Sequence, residues 1–324
     1  MVDRHSLTQL SESWAVSPAI YGVEGFVLSA DEKSFFRDAN PLGFILFGRN
    51  CETPAQVRAL TDSLRECLGR SIPILIDQEG GRVQRMKAPH WPAYPAAAQL
   101  AGDVDNLALV TAQMAGDLTA VGINVNCAPV LDVTFPQTHA AIGDRAYSSD
   151  ADIVARCGDV VCAAYLANGI VPIVKHMPGL GRADLDTHKD LPAVTACADD
   201  LDTIDFLPYK KIMKKSYAPS VWGMVGHAVY EALDPGVPAS CSSVIIENII
   251  RQEMGFSGIL VSDDLSMDAL SQYGGEQERA ALVLKAGCDI ALHCNGKLDE
   301  MKAVANRIPP MAKASLVRYN RGLI

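Results

Sequence analysis

Short runs of mostly apolar, often β-branched residues recur along the chain, each about as long as a β-strand. Eight such runs are present, at residues 19–22, 43–47, 74–77, 124–128, 171–175, 221–226, 258–262 and 289–293. Strands that are buried on both faces have this nearly continuous apolar character. The pattern therefore predicts eight strands in a sheet that is covered on both sides.

Stretches with helical periodicity lie between most of these runs. They occupy residues 54–68, 107–121, 153–168, 204–215, 244–254 and 276–286. Glycines at positions 122, 169, 255 and 287 stand just ahead of a strand, where a helix has to end. Helices that connect successive strands make those strands parallel, which favours a closed (β/α)8 TIM barrel over the alternative, a doubly wound open sheet.

No linker of domain-separating length interrupts this alternation, so we expect a single catalytic domain over residues 1–324. A helical tail is predicted from about residue 298.

The 49% hydrophobic and 20% charged content is that of a globular protein, and the net charge of −10 without a basic cluster argues against a nucleic acid partner. The nine cysteines include no CxxC pair and are expected to be reduced core residues. The start of the chain does not resemble a secretory signal, and no apolar run reaches the roughly 18 residues of a membrane span. We therefore expect a cytosolic protein that does not enter a membrane.

Six of the eight apolar runs end in, or lead to, polar side chains. They are Asp77, Asp132, Lys175 with His176, His227, Asp263 with Asp264, and His293 with Asn295. Catalytic residues of a barrel of this kind lie at the carboxyl ends of its strands. A single polar strand end could simply be solvated, but their recurrence at one face predicts an active site.

Several kinds of chemistry lack their usual sequence signals. The chain has no HExxH segment, no EF-hand pattern and no cysteine cluster, so no metal is expected. The GLGRAD segment lacks both the GxGxxG and the P-loop patterns, and no GxSxG segment supports a serine nucleophile. We expect no cofactor. Carboxylates and histidines at strand ends suit acid–base and nucleophilic chemistry on a neutral, polyhydroxylated substrate.

Four segments occur in an order and spacing that resemble a known family. They are IDQEGGRVQR, AIGDRAY, VKHMPGLGRADLDTHKDLP and GFSGILVSDDLSM. Together they are similar to the signature segments of glycoside hydrolase family 3, in its single-domain bacterial β-N-acetylglucosaminidase branch, and the similarity extends from about Tyr21 to Asn295. The chain departs from the commoner KHFPGHGD pattern at Met177, Leu180 and Arg182, which leaves the preference for the leaving group open.

The resemblance implies a role for each matching residue. Asp263 would be the nucleophile, and His188 the acid–base residue with Asp186 as its partner. The sugar would be held by Asp77, Arg85, Arg145, Lys175 and His176. We expect Asp264 to be a structural hydrogen-bond anchor, because side chains alternate along a strand. Residues 178–187, with few apolar anchors, are expected to form a mobile loop that carries His188 into the site.

The implied activity is removal of terminal, non-reducing N-acetylglucosamine from β-linked cell-wall fragments, namely muropeptides, in peptidoglycan recycling. The partner would be this small carbohydrate, and the protein is expected to be a monomer. A phosphorylase and a β-glucosidase of the same family remain alternatives, as does a catalytically inactive sugar-binding or sensor barrel. A further mechanistic alternative is attack by the substrate's own acetamido group, with Asp263 only orienting it.

Overall fold

A computed structural model describes residues 7–186 and 190–323. Eight parallel strands in this part of the chain close into a barrel. The barrel strands are β1 (Ser17–Gly22), β2 (Pro41–Leu46), β3 (Ile74–Ile76), β4 (Val125–Asn126), β5 (Val171–Met177), β7 (Trp222–Val225), β9 (Leu260–Asp264) and β10 (Ile290–His293). All eight predicted strands are present, and β1 closes the barrel by pairing with both β2 and β10. The (β/α)8 barrel is confirmed.

Side chains alternate between two apolar layers. On β1, Ile20 points into the barrel, where it belongs to the same cluster as Leu75 and Val261. Its neighbour Tyr21 belongs to the larger cluster between the barrel and the helices. Burial on both sides explains why these strands read as continuous apolar runs rather than as alternating ones.

Helices surround the barrel. The α-helices of the described residues are α1 (Ala30–Ala39), α2 (Pro54–Leu68), α3 (Ala97–Leu100), α4 (Val104–Ala120), α5 (Ala151–Ala167), α6 (Ala198–Asp200), α7 (Leu207–Met213), α8 (Glu276–Ala286), α9 (Leu298–Arg307) and α10 (Lys313–Arg321). Two segments of π-helical geometry, Leu201–Asp205 and Val244–Glu253, complete the outer layer. All six predicted helices are found, and α2 and α8 have the predicted bounds.

Helix α1 was not predicted because it is mostly polar. It begins with a capping box, in which Ser29 accepts a hydrogen bond from the amide of Glu32 and the Glu32 carboxylate accepts one from the amide of Ser29. This cap satisfies backbone donors that the first turn leaves without partners. Local hydrogen bonding thus specifies the start of a helix that the apolar pattern alone does not mark.

The predicted helical tail forms α9 and α10, and α10 packs against the amino-terminal end of the barrel. Its Tyr319 ring lies 6.1 Å from the ring of Trp222 on β7. Buried Asp289 accepts hydrogen bonds from Ser315 at 2.6 Å and Arg318 at 2.8 Å, which fixes α10 to the start of β10. Among residues 7–186 and 190–323, no helix has both the length and the apolar character needed to cross a membrane.

The short strands β6 (Ala193–Val194) and β8 (Val229–Tyr230), which were not predicted, pair beside the barrel mouth. The four predicted helix-ending glycines all have φ between 72° and 117°, as a left-handed turn requires.

The nine cysteines are free and eight are at least partly buried. Cys197 is exposed, so the prediction that the cysteines lie in the core is wrong for that residue.

Candidate active site

A cavity of about 480 Å³ opens at the carboxyl ends of the barrel strands. Seven of the eight site residues predicted from the sequence line it: Asp77, Arg85, Arg145, Lys175, His176, Asp186 and Asp263. The eighth, His188, lies outside the described residues. A larger cavity of about 640 Å³ lies between α1 and α9, and it is lined by none of the predicted residues. The strand-end cavity is therefore the candidate active site.

Asp77 lies at the floor of this cavity, directly after β3. One carboxylate oxygen accepts a hydrogen bond from Lys175 Nζ at 2.9 Å and the other from Arg85 at 3.1 Å. Burial alone would raise the pKa of Asp77, but the cations of Lys175 and Arg85 hold it well below its usual range. Asp77 is therefore ionised and already oriented.

The segment after Asp77 is held by its own polar side chains. The amide of Gln78 donates to Asn126 Oδ1 at 3.0 Å, and the Gln78 side chain accepts from the amide of Arg85 at 2.8 Å. Gly80 has a φ of 93°, and a Cβ at this position would lie 2.3 Å from the carbonyl oxygen of Pro95. The QEGG sequence thus allows a tight turn that returns Arg85 to the cavity.

Glu79 is a site residue that sequence reasoning missed. Its carboxylate accepts two hydrogen bonds from Arg145, both at 2.8 Å, and lies 2.6 Å from Lys175 Nζ. Burial would raise the pKa of Glu79, but Lys175 and Arg145 lower it to about 2. Burial would in turn lower the pKa of Lys175, yet Asp77 and Glu79 raise it above its usual value. These groups form a continuous charged network, which we call the ion network: Asp77, Glu79, Arg85, Arg145 and Lys175.

His176, next to Lys175 on β5, is oriented by buried Asp132. The Nδ1 atom of His176 lies 2.8 Å from one Asp132 oxygen, while the other oxygen accepts from the amides of His176 and Leu180. A carboxylate with three donors around it acts as an acceptor, so Nδ1 carries a proton and Nε2 remains to face a ligand. Asp132 was recognised as a strand-end residue, but its partner was not predicted.

Asp263 lies at the carboxyl end of β9 and lines the cavity. The next residue, Asp264, binds the surrounding backbone: one of its oxygens accepts from the amides of Ser266 and Cys294, each at 3.1 Å. The carbonyl of Asp264 also accepts from Nε2 of His227 at 3.0 Å. Burial lowers the pKa of His227, which favours the neutral ring that this arrangement uses. Asp264 is thus a hydrogen-bond anchor, as expected.

The loop that follows β5 is more firmly anchored than the sequence predicts. Leu180 and Ala183 are buried, Thr138 donates to the carbonyl of Gly181, and Tyr230 donates to the carbonyl of Gly179 at 2.8 Å. The expectation of few apolar anchors is therefore wrong for residues 178–183. Leu185, by contrast, is 44% exposed and lines the cavity next to Asp186.

The cavity can hold a polyhydroxylated ring. The ion network supplies charged donors and acceptors at fixed positions, and a carboxylate at a strand end can attack an electrophilic carbon. Among the described residues, no group of three or more His, Cys, Asp or Glu side chains is arranged to hold a metal ion.

Comparisons with known proteins point to the same chemistry. A family model described as the N-terminal domain of glycosyl hydrolase family 3 matches residues 4–314. A β-hexosaminidase of Alkalilimnicola ehrlichii is 34% identical over 316 residues, which are 94% of this chain and 89% of that protein. The solved structure of NagZ from Neisseria gonorrhoeae in complex with N-trifluoroacetyl-D-glucosamine is similar with a TM-score of 0.85 and 29% identity, covering 94% of this chain and 89% of that one. A family 3 β-N-acetylglucosaminidase from Paenibacillus is similar with a TM-score of 0.86 and 30% identity, although this chain spans only 60% of its length.

Proposed function

Because the chain belongs to glycosyl hydrolase family 3 and is a glycoside hydrolase of the β-N-acetylhexosaminidase type, we propose that it removes terminal, non-reducing N-acetylglucosamine with retention of configuration. In this proposal Asp263 attacks the anomeric carbon and forms a covalent glycosyl-enzyme, which water then hydrolyses. The observation that carries the proposal is that Asp263, Asp186 and the ion network line one cavity.

The acid–base role falls to His188 and Asp186 in this mechanism. A carboxylate two residues before a histidine can accept a hydrogen bond from one ring nitrogen, which fixes the tautomer and raises the basicity of the other. The other nitrogen carries a proton at the start of the reaction and gives it to the leaving oxygen, and the neutral ring that results then takes a proton from the attacking water. The position of Asp186 in the cavity wall supports this assignment.

The sugar would be held by Asp77, Arg85, Arg145, Lys175 and His176. Asp77 has lone pairs left for ring hydroxyls after its bonds to Lys175 and Arg85, since an ionised carboxylate accepts about four hydrogen bonds. The cations donate to hydroxyl or carbonyl oxygens of the same ring. Because their partners already orient them, binding a sugar requires little reorganisation.

We further propose that the natural substrates are cell-wall muropeptides, that the enzyme acts in the cytoplasm in peptidoglycan recycling, and that it is a monomer without metal or cofactor. The similarity to β-hexosaminidases over most of their length supports the class of substrate in this proposal.

Trapping the intermediate tests the mechanism. A fluorinated N-acetylglucosamine donor with a good leaving group should form a long-lived adduct, because fluorine destabilises the cationic transition state of the second step. Peptide mass analysis should find the label on Asp263, and the Asp263→Asn variant should remain unlabelled. A label on another residue would contradict the mechanism, and release of an oxazoline product would point to attack by the acetamido group.

A second measurement separates hydrolysis from phosphorolysis. Turnover of an aryl N-acetylglucosaminide should be the same with and without inorganic phosphate, and the product should be the free sugar. Strict dependence on phosphate, with the sugar 1-phosphate as product, would show that the enzyme is a phosphorylase.

A further inference from the structure

His139, a residue without an assigned role in the sequence analysis, lines the candidate active site. It belongs to the loop between β4 and α5, and its backbone amide donates to the carbonyl of Ala183 at 2.9 Å. Thr138, the preceding residue, donates to the carbonyl of Gly181. His139 therefore lies where the loop that carries Arg145 meets the loop that carries Asp186.

The protonation of the His139 ring follows from one hydrogen bond. The amide of Ala141 lies 3.0 Å from His139 Nδ1. An amide nitrogen can only donate, so Nδ1 accepts, and the neutral ring then carries its proton on Nε2. Because Nδ1 is already used, the polar group that the ring offers to a ligand is the Nε2–H donor.

The location of this donor relative to the proposed reaction indicates what it contacts. The group that protonates the leaving oxygen has to lie beside the glycosidic bond, and that group belongs to the segment that begins at Asp186. The leaving group therefore departs along the wall beside this segment. His139 lies on this wall, together with Leu185, whose side chain is 44% exposed and offers an apolar surface.

We propose that His139 determines specificity for the leaving group, with its Nε2–H donating to an oxygen atom of a second sugar. This inference rests on the proposed function. An N–H group can donate to either a hydroxyl or a carboxylate oxygen, so the substrates are N-acetylglucosaminides whose leaving group is a saccharide that places an oxygen near the wall. An aryl leaving group that has no such oxygen cannot accept the hydrogen bond from His139 Nε2–H.

A pair of His139 variants separates contact from structural support. In His139→Asn the shorter side chain retains an oxygen that can accept from the amide two residues ahead, as asparagine commonly does in turns, but it removes the Nε2 donor. In His139→Gln the side-chain amide nitrogen reaches roughly as far as Nε2 of the histidine, so this variant can restore the donor. His90→Asn is the matched control, because His90 is exposed and lies outside the cavity lining.

The measurement is kcat/KM for a disaccharide of two β-linked N-acetylglucosamine units, divided by kcat/KM for phenyl N-acetylglucosaminide, whose leaving group has no oxygen besides the glycosidic one. We expect this ratio to fall roughly five- to tenfold in His139→Asn, the loss expected for one hydrogen bond, and to recover at least partly in His139→Gln. His90→Asn should keep the wild-type ratio. A disaccharide with an acidic second sugar, measured in parallel, shows whether a hydroxyl or a carboxylate is the acceptor.

Equal losses on both substrates would leave the ratio unchanged in His139→Asn and would overturn the inference, because His139 would then only support the loop that carries Arg145. The proposed function would remain intact in that case, since wild-type activity on both substrates is measured in the same experiment. A wild-type enzyme that hydrolyses neither substrate would overturn both.

Discussion

Replacement of Glu79 by Gln tests whether the ion network is held together by charge. The substitution keeps the size of the side chain but removes one negative charge from a carboxylate that is only 5% exposed. Arg145 loses the carboxylate to which it donates two hydrogen bonds, and Lys175 loses its ion pair with Glu79 but keeps the one with Asp77. Removal of one member of a buried ion pair leaves an uncompensated charge, which typically costs about 3–5 kcal/mol.

The pKa of Glu79 leads to a similar magnitude for the stability that its charge contributes. Its value is about 2 in the folded protein, against 4.5 for an ordinary glutamate. This difference corresponds to about 3 kcal/mol of stability at neutral pH. Because the folded-state pKa is lowered, the contribution is complete above pH 4.5 and is lost as the pH falls towards 2. It should have decreased to about half by pH 3.

Urea denaturation of the wild type and of Glu79→Gln at pH 7 and at pH 3 measures both quantities. We expect the free energy of unfolding at pH 7 to be about 3 kcal/mol lower for the variant than for the wild type. At pH 3 the difference between the two proteins should be clearly smaller. Glu66→Gln, on the exposed face of α2, is the matched control and should have almost no effect. A variant as stable as the wild type at pH 7, or a deficit that does not change with pH, would refute the electrostatic account.

Two further substitutions test the site. Lys175→Ala should lower kcat/KM for an aryl N-acetylglucosaminide by roughly 100-fold or more, since it removes the cation between Asp77 and Glu79, and near wild-type kinetics would reject its binding role. Gly181→Ala should lower both activity and melting temperature, because its Cβ would lie 1.8 Å from the carbonyl oxygen of Val133 and displace the loop that carries Asp186. Gly102→Ala, where a Cβ meets open space, is the control, and a similar effect of both alanines would contradict the steric explanation.

The barrel was predictable because its physical requirement is visible in the sequence. A strand buried on two faces has to be apolar over most of its length, and residues 74–76 and 171–174 show this directly. Helix α1 and the pair of β6 and β8 lack such a signal. Helix α1 begins at a local capping box, and β6 and β8 are two residues long and pair only because the loops after β5 and β7 come together.

The site was predictable to the level of individual residues but not of their partners. Polar residues after apolar runs led to Asp77, Lys175 and Asp263, which line one cavity. The bonds that orient them join residues far apart in the chain, with Lys175 and Asp77 separated by 98 positions and Arg145 and Glu79 by 66. Glu79 itself follows Asp77 by two positions, and alternation could have placed it on the same face as a strand-end acid. Only the fold shows that its partners are two cations.

The ion network also constrains which residues can move protons. The pKa values of Asp77 and Glu79 lie far below neutrality, and those of Lys175 and Arg145 lie above their usual values, so these four side chains keep their charge over the pH range in which proteins function. They can orient a sugar and stabilise developing charge, but they cannot donate and recover a proton within one catalytic cycle. Imidazole is the side chain whose ordinary pKa lies near neutrality. The proton that the leaving oxygen requires is therefore expected to come from outside the network, which supports the proposal that the Asp186–His188 segment, and not the carboxylates on the cavity floor, provides acid–base catalysis.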